Sequence, residues 1–270
     1  MNDTWATESV AWVYRGHGKA DWELKARAVR EKEAFKELGI GGDTSRWTTR
    51  VELLVEMLAR FRRGLDETGL VIPTKSPRLL LAEFSEVTSN ADPPREAWPL
   101  MALAQHHGLP TPLLDWSRRA SVAAYFAASS AVDPQLQGQS THLAVWCLDA
   151  GAHLGHAHDM MRSKSGHLQL YVAPGGTNPN LRAQAGVFTY LWGENDPSVE
   201  AYVAHRHAEG LAAPKLHRVT LPVTEAGKLL RLLSRDGIHG ASMFPGADGV
   251  VRAMREEALW DKPPTARSGR

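Results

Sequence analysis

Gln105-His-His-Gly-Leu-Pro-Thr-Pro-Leu-Leu-Asp-Trp-Ser117, running on into Ala120-Ser-Val-Ala-Ala-Tyr-Phe-Ala-Ala128, is the stretch that decides the fold. It reads as three elements. Leu100 to His107 ends a helix, because Gly108 can take the left-handed conformation of a C-cap and Pro110 cannot continue the turn. Leu113 to Trp116 is a short strand, and Ala120 to Ala131 is small and apolar around most of its circumference, the pattern of a buried helix. Polar side chains sit at the joints of this apolar unit: Gln105, His106 and His107 before the strand, Asp115 and Ser117 after it. Buried polar groups cost free energy unless partnered. The set is therefore either a hydrogen-bonded latch or a site.

These residues, with Tyr125-Phe126-Ala127 in the helix, resemble the central motif of the FRG domain family. That family carries an aromatic-Arg-Gly tripeptide near its start, and Tyr14-Arg15-Gly16 stands at that place. Arg182-Ala-Gln-Ala-Gly-Val-Phe188 and Met243-Phe-Pro-Gly-Ala-Asp-Gly249 extend the resemblance over roughly residues 10 to 255. It implies a bacterial or phage setting, of toxin or defence type.

Composition narrows the field. Basic and acidic residues number 31 and 30, so no overall field points to nucleic acid or an anionic membrane. The single cysteine, Cys147, lies in the apolar run Leu143 to Leu148; it excludes an internal disulfide and suits a reducing cytoplasm, and reads as a small buried hydrophobe. No apolar run is long enough to span a bilayer, and residues 1 to 25 lack the apolar segment of a signal peptide.

Along the chain, Val10 to Tyr14 predicts a strand ending at Arg15-Gly16, with a turn through Gly16, His17 and Gly18. A guanidinium there suits phosphate or carboxylate recognition; the alternative is a structural arginine paired to a carboxylate such as Asp115. Residues 30 to 107 predict a helical layer, with a Thr49–Glu52 capping box opening a helix along Val51, Leu54, Val55, Leu58, Phe61 and Leu65. A second helix is expected from Arg78 to Val87, and Arg60, Arg62 and Arg63 form a solvated face. Strands are expected over His142 to Leu148, Leu168 to Val172, Val187 to Trp192 and Leu216 to Val223. His153, His156, His158 and Asp159 fall in a loop and do not share a helix face, so a solvated loop is preferred to zinc. His205-Arg-His207 reads as surface. Thr224 caps a helix burying Leu229, Leu230, Leu232 and Leu233 and stopped by Gly237; Ala241 to Phe244 reads as a strand, and Asp248 as the N-cap of Val250 to Leu259. The whole predicts one α+β domain over residues 1 to 260, small sheets with a helical insertion in the first half, and a disordered tail over 261 to 270.

The polar positions in order also resemble the ADP-ribosyltransferase plan: Arg15 at a first strand, Ser117 mid-chain, and a polar residue, Gln184, ahead of a later strand. That resemblance implies NAD as substrate, held by Arg15, Gly16, His106 and His107 with Trp116 or Tyr125 as an apolar wall. Arg15, Asp115, Ser117 and Gln184 would carry the reaction, and the macromolecular target stays open. Where such enzymes carry Glu, this chain has Gln184, and an amide neither stabilises an oxocarbenium ion as a carboxylate does nor acts as a base. Three readings follow: Asp115 or Glu194 supplies the charge, the transferase is weak, or the pocket binds a nucleotide without turnover, as a sensing module. A metal hydrolase using His106, His107 and Asp115 is a further alternative, although adjacent histidines on a helix point about 100° apart. If one reaction unites the set, Arg15 and Gln184 must face one opening, with Asp115 more buried than Arg15 and held by donors around His107 and Gly108.

Overall fold

In the computed structural model, residues 12–31, 34–42, 47–72, 97–136, 138–151, 168–173, 179–191 and 198–260 are described. The frame is a six-stranded sheet, all of whose pairings are antiparallel. Its strands are β1 (Trp12–His17), β2 (Leu113–Ser117), β3 (His142–Asp149), β4 (Gln169–Tyr171), β5 (Gly186–Tyr190) and β6 (Leu216–Pro222), in the spatial order β4-β5-β2-β1-β3-β6. The helices are α1 (Arg27–Arg30), α2 (Trp47–Glu67), α3 (Trp98–His106), α4 (Ala120–Ala131), α5 (Pro179–Ala183), α6 (Val199–Ala208), α7 (Ala226–Arg235), α8 (Gly240–Met243) and α9 (Ala247–Glu257). The molecule is α+β, as the sequence predicts, but with one sheet instead of several small ones.

Alternation along the strands assigns the layers. Val13, Leu114, Trp116, Trp146, Leu148 and Val187 share one face and pack on Val199, Tyr202 and Val203 of α6. The opposite face carries Leu113, Phe188 and Tyr190, buried against α2 and α3, and Leu143, buried against α4 and α7. The apolar α4 lies in the middle of this second face, its bounds as predicted. It is pinned by a buried polar group: the Tyr125 hydroxyl and Ser129 Oγ both donate to Glu256 Oε1 at 2.7 Å, linking α4 to α9.

Several expectations are corrected. β1 does not turn at Gly16 but runs on to His17, because Gly16 is where the strand crosses α4. A Cβ there would stand 2.0 Å from the Ala123 carbonyl oxygen. The long helix begins at Trp47, which puts Thr49 inside it instead of at its cap. Ala241 to Phe244 is not a strand. It lies in α8 and just beyond, because the His239 side chain accepts from the Ser242 N–H while Ser242 Oγ accepts from the His239 N–H at 3.1 Å. Asp248 sits in the first turn of α9, behind the N-cap Gly246. Thr224 lies in a 3-10 turn before α7, and Leu232 is exposed. His205 and His207 are exposed, but Arg206 between them is buried, its Nε donating to the Ala212 carbonyl at 2.6 Å. Their helix, α6, has no counterpart among the expected elements; Ser198 caps it by accepting from the Ala201 N–H at 3.2 Å. Cys147 is half-buried. The predicted helix over 78–87, the 153–159 histidines, Glu194 and the tail lie outside the described residues.

Candidate functional site

The site grows from a gap in the sheet. β1 and β2 pair at Tyr14 and Ser117, whereas β1 and β3 pair along all of Trp12 to His17. At this thin junction a side chain does the ladder's work: Arg15 Nη1 donates to the Asp115 backbone carbonyl at 2.7 Å. Arg15 Nε donates to His17 Nε2 at 2.9 Å, which is geometrically natural because residues two apart on a strand share a face. The carboxylate of Asp115 is 3.7 Å from the same Nη1. Two points of the guanidinium are thus fixed, and Nη2 carries no bond among the described residues.

The exposures are the reverse of those predicted. The Arg15 side chain is 19% exposed and that of Asp115 60%. Gly108, expected to hold Asp115 with its neighbours, instead gives its carbonyl to Arg27 Nη1 at 2.5 Å. Since the Asp115 main chain, not its side chain, anchors Arg15, nothing forces the carboxylate out of water, where burial would cost it solvation.

Electrostatics follow from this packing. Burial lowers the Arg15 pKa, Asp115 opposes the shift, and the charge of Arg30 adds to it. His17 is pushed down to about 3, first by burial, then by Arg15, with the Trp22 backbone opposing and Arg30 adding a little. The imidazole is therefore neutral. Because Nε2 accepts from Arg15, its proton sits on Nδ1, which is buried and makes no well-formed hydrogen bond. Burial, then His107, also lowers His106, while Asp115 raises it.

The predicted residues divide into groups. Asp115 acts electrostatically on both Arg15 and His106. His106 is exposed, with Nε2 at 3.4 Å from Asn180 Nδ2. His107 turns towards the Phe61 ring, 6.2 Å away. Ser117 and Gln184 meet, but not as reacting groups. Ser117 Oγ donates to the Gln184 backbone carbonyl at 2.8 Å and accepts from the Arg119 N–H at 3.0 Å. Gln184 Nε2 donates to the Met243 carbonyl at 3.1 Å. Both side chains are occupied in joining β2, the α4 start and α8. Trp116 and Tyr125 are buried in cores on opposite faces, and Gly16 is closed off by α4. Trp116 Nε1 is taken by Thr189 Oγ1 at 2.8 Å. Among the described residues no group of three or more His, Cys, Asp or Glu could hold a metal ion.

Three contributors escape the sequence reading. Arg30, on α1, is exposed and acts on both Arg15 and His17. His17 shares the Arg15 face, which strand alternation shows once β1 is carried past Gly16. Trp22, half-buried, meets the His17 ring edge-on at 5.9 Å and has Lys19 Nζ 5.7 Å from its centroid.

Comparison with known proteins gives one match. The family model of the FRG domain matches residues 10–135, which contain Arg15, His17, Arg30, His106 and Asp115. Arg182 to Phe188 and Met243 to Gly249 lie outside the matched span. No curated protein and no solved structure matches. Over residues 10–135, just under half of its length, this chain is therefore similar to the FRG domain family.

Proposed function

We propose that the chain is a nucleotide-binding domain in which Arg15 receives a phosphate, with NAD as the first ligand to test and recognition as its main role. The observation that carries this is the state of Arg15: a guanidinium held by two hydrogen bonds, with Nη2 unused among the described residues and a second cation, Arg30, in range. A donor fixed before the ligand arrives loses little entropy on binding, and a planar guanidinium suits phosphate oxygens. His17, neutral beneath Arg15, orients it without adding charge. The occupied side chains of Ser117 and Gln184 favour binding over turnover.

A second reading, NAD-dependent ADP-ribosyl transfer, is favoured by one feature. The exposed Asp115 carboxylate beside Arg15 is the type of group that stabilises an oxocarbenium ion, so Gln184 is not needed for it. In that reading the protein is an effector of toxin or defence type acting in the cytoplasm on a macromolecular target. No helix among the described residues is long and apolar enough to cross a membrane.

Calorimetry and thermal shift with NAD, ADP-ribose and ATP test the first reading, and nicotinamide release tests the second. Arg15→Ala will weaken binding by about 1.5–3 kcal/mol, the worth of a hydrogen bond to a charged group. Unaltered melting in millimolar amounts of all three nucleotides would sink the binding reading. Binding without nicotinamide release, or release unaffected by Asp115→Asn, would sink the transferase reading.

A further inference from the structure

α9 turns its apolar residues outward. Its inner side is Gly249, Arg252, Ala253 and Glu256, whereas Val250, Val251 and Met254 are 51%, 45% and 65% exposed, with Ala247 and Ala258 exposed beside them. A helix that packs only on its own chain has the opposite arrangement. With 3.6 residues per turn, the five outward positions fall within about 100° of the helix circumference and form one continuous stripe. The helix cannot roll to bury it. A Cβ at Gly249 would stand 1.8 Å from the Phe244 carbonyl oxygen, and one at Gly240 2.6 Å from the Ala253 nitrogen, so only the present inner side fits so closely against α8. Glu256 is held in addition by Tyr125 and Ser129 of α4.

The charges beside the stripe identify what covers it. Asp248 and Arg255 are exposed on one flank, seven residues apart, and neither is in an ion pair among the described residues. Laid antiparallel on a second copy of itself, α9 sets Val251 against Met254 and Ala247 against Ala258, and Asp248 then meets Arg255 twice, once at each end. A parallel pair would put Arg255 beside Val250, match no charges and align the two helix dipoles unfavourably. A surface that complements itself in this way is what a two-fold contact requires. We propose that α9 is a homodimerisation face, on which two copies of this chain meet antiparallel through the apolar stripe, Asp248 facing the partner's Arg255. One short helix per copy covers less than the roughly 800 Å² a side of a standard interface, so the dimer is weak and concentration-dependent. The inference is independent of the nucleotide reading.

The test is sedimentation equilibrium of the full chain from about 10 μM to about 1 mM, the range in which a contact of this size is read. A monomer–dimer equilibrium is expected. Met254→Glu, at an exposed position, should keep the melting temperature and abolish the dimer, and Arg15→Ala should leave it unchanged. Asp248→Arg and Arg255→Asp should each weaken self-association about threefold or more, since two exposed ion pairs become like-charge contacts. An equimolar mixture of those two variants, and the double variant D248R/R255D, should associate as wild type does, because both restore the two pairs. A chain monomeric at every concentration, a dimer retained by Met254→Glu, or a mixture no tighter than its components would overturn the proposal. So would co-sedimentation of a monomeric chain with phosphatidylcholine vesicles that Met254→Glu abolishes, which would make a lipid surface the occupant.

Discussion

Gly16→Ala will lower stability by about 3 kcal/mol or more, the upper range of overpacking effects. The added Cβ would stand 2.0 Å from the Ala123 carbonyl oxygen and 2.6 Å from the Ala127 nitrogen. Both are backbone atoms of α4, and no rotamer change relieves a backbone clash. The helix cannot step away, because Tyr125 and Ser129 tie it to Glu256 on its other side. Denaturant unfolding will show a lowered midpoint with an unchanged slope. Gly64 is the control: it lies inside α2, and a methyl group added there would meet nothing within 4 Å, so Gly64→Ala should stabilise by about 0.5–1 kcal/mol. Similar midpoints for the two variants would refute the close-contact account.

Acid will destabilise the fold through His17. Its folded pKa is pushed down to about 3 from 6.5, so between these values the unfolded chain holds a proton that the folded chain does not. A state that binds more protons gains as pH falls. The contribution is therefore complete above the unfolded pKa of 6.5 and is lost at about 1.4 kcal/mol per pH unit as pH drops towards 3. Other groups add slopes of their own, so the measurement is a difference: stability of wild type and of His17→Gln at half-unit steps from pH 7 to pH 4. The variant's slope should be smaller by one proton's worth. Parallel curves would show that His17 does not titrate in this window.

The legible parts of the fold are those decided by local chemistry. Ala120 to Ala131 is apolar on nearly every side and follows a polar joint, which leaves a buried helix as its only economical conformation, and those bounds are observed. Gly108 at φ 82° ends its helix as the Gly-Leu-Pro sequence requires. What fails depends on partners distant in sequence. Gly16 reads as a turn residue because glycine permits one, but its role is close approach to a helix more than a hundred residues on. Residues 241–244 are too few to show a period, and the His239–Ser242 cap decides their conformation. Ser198 is a type of residue that starts helices, yet one serine without a capping-box partner is a weak signal, and α6 is missed with it.

The site shows the same division. That Arg15 pairs with Asp115 is foreseeable, since an arginine on one strand and an aspartate on another invite it. That the backbone carbonyl, and not the carboxylate, is the principal acceptor is not, because sequence does not reveal where two strands splay. Ser117 and Gln184 do meet, but through a main-chain oxygen that every residue possesses, so side-chain identity carries no information about that contact.

The position of β1 bears on how portable the matched segment is. β1 is an interior strand, and the neighbour that holds it along its whole length, from Trp12 opposite Asp149 to His17 opposite Ala144, comes from beyond residue 135. A fragment ending there would keep Arg15 and Asp115 yet present a row of unpaired backbone groups beside them, an adhesive edge that recruits other chains. The stretch recognisable by sequence is thus smaller than the unit that folds. Any architecture that transplants the motif has to bring a third strand with it, and that strand is free to differ so long as it supplies backbone hydrogen bonds in register.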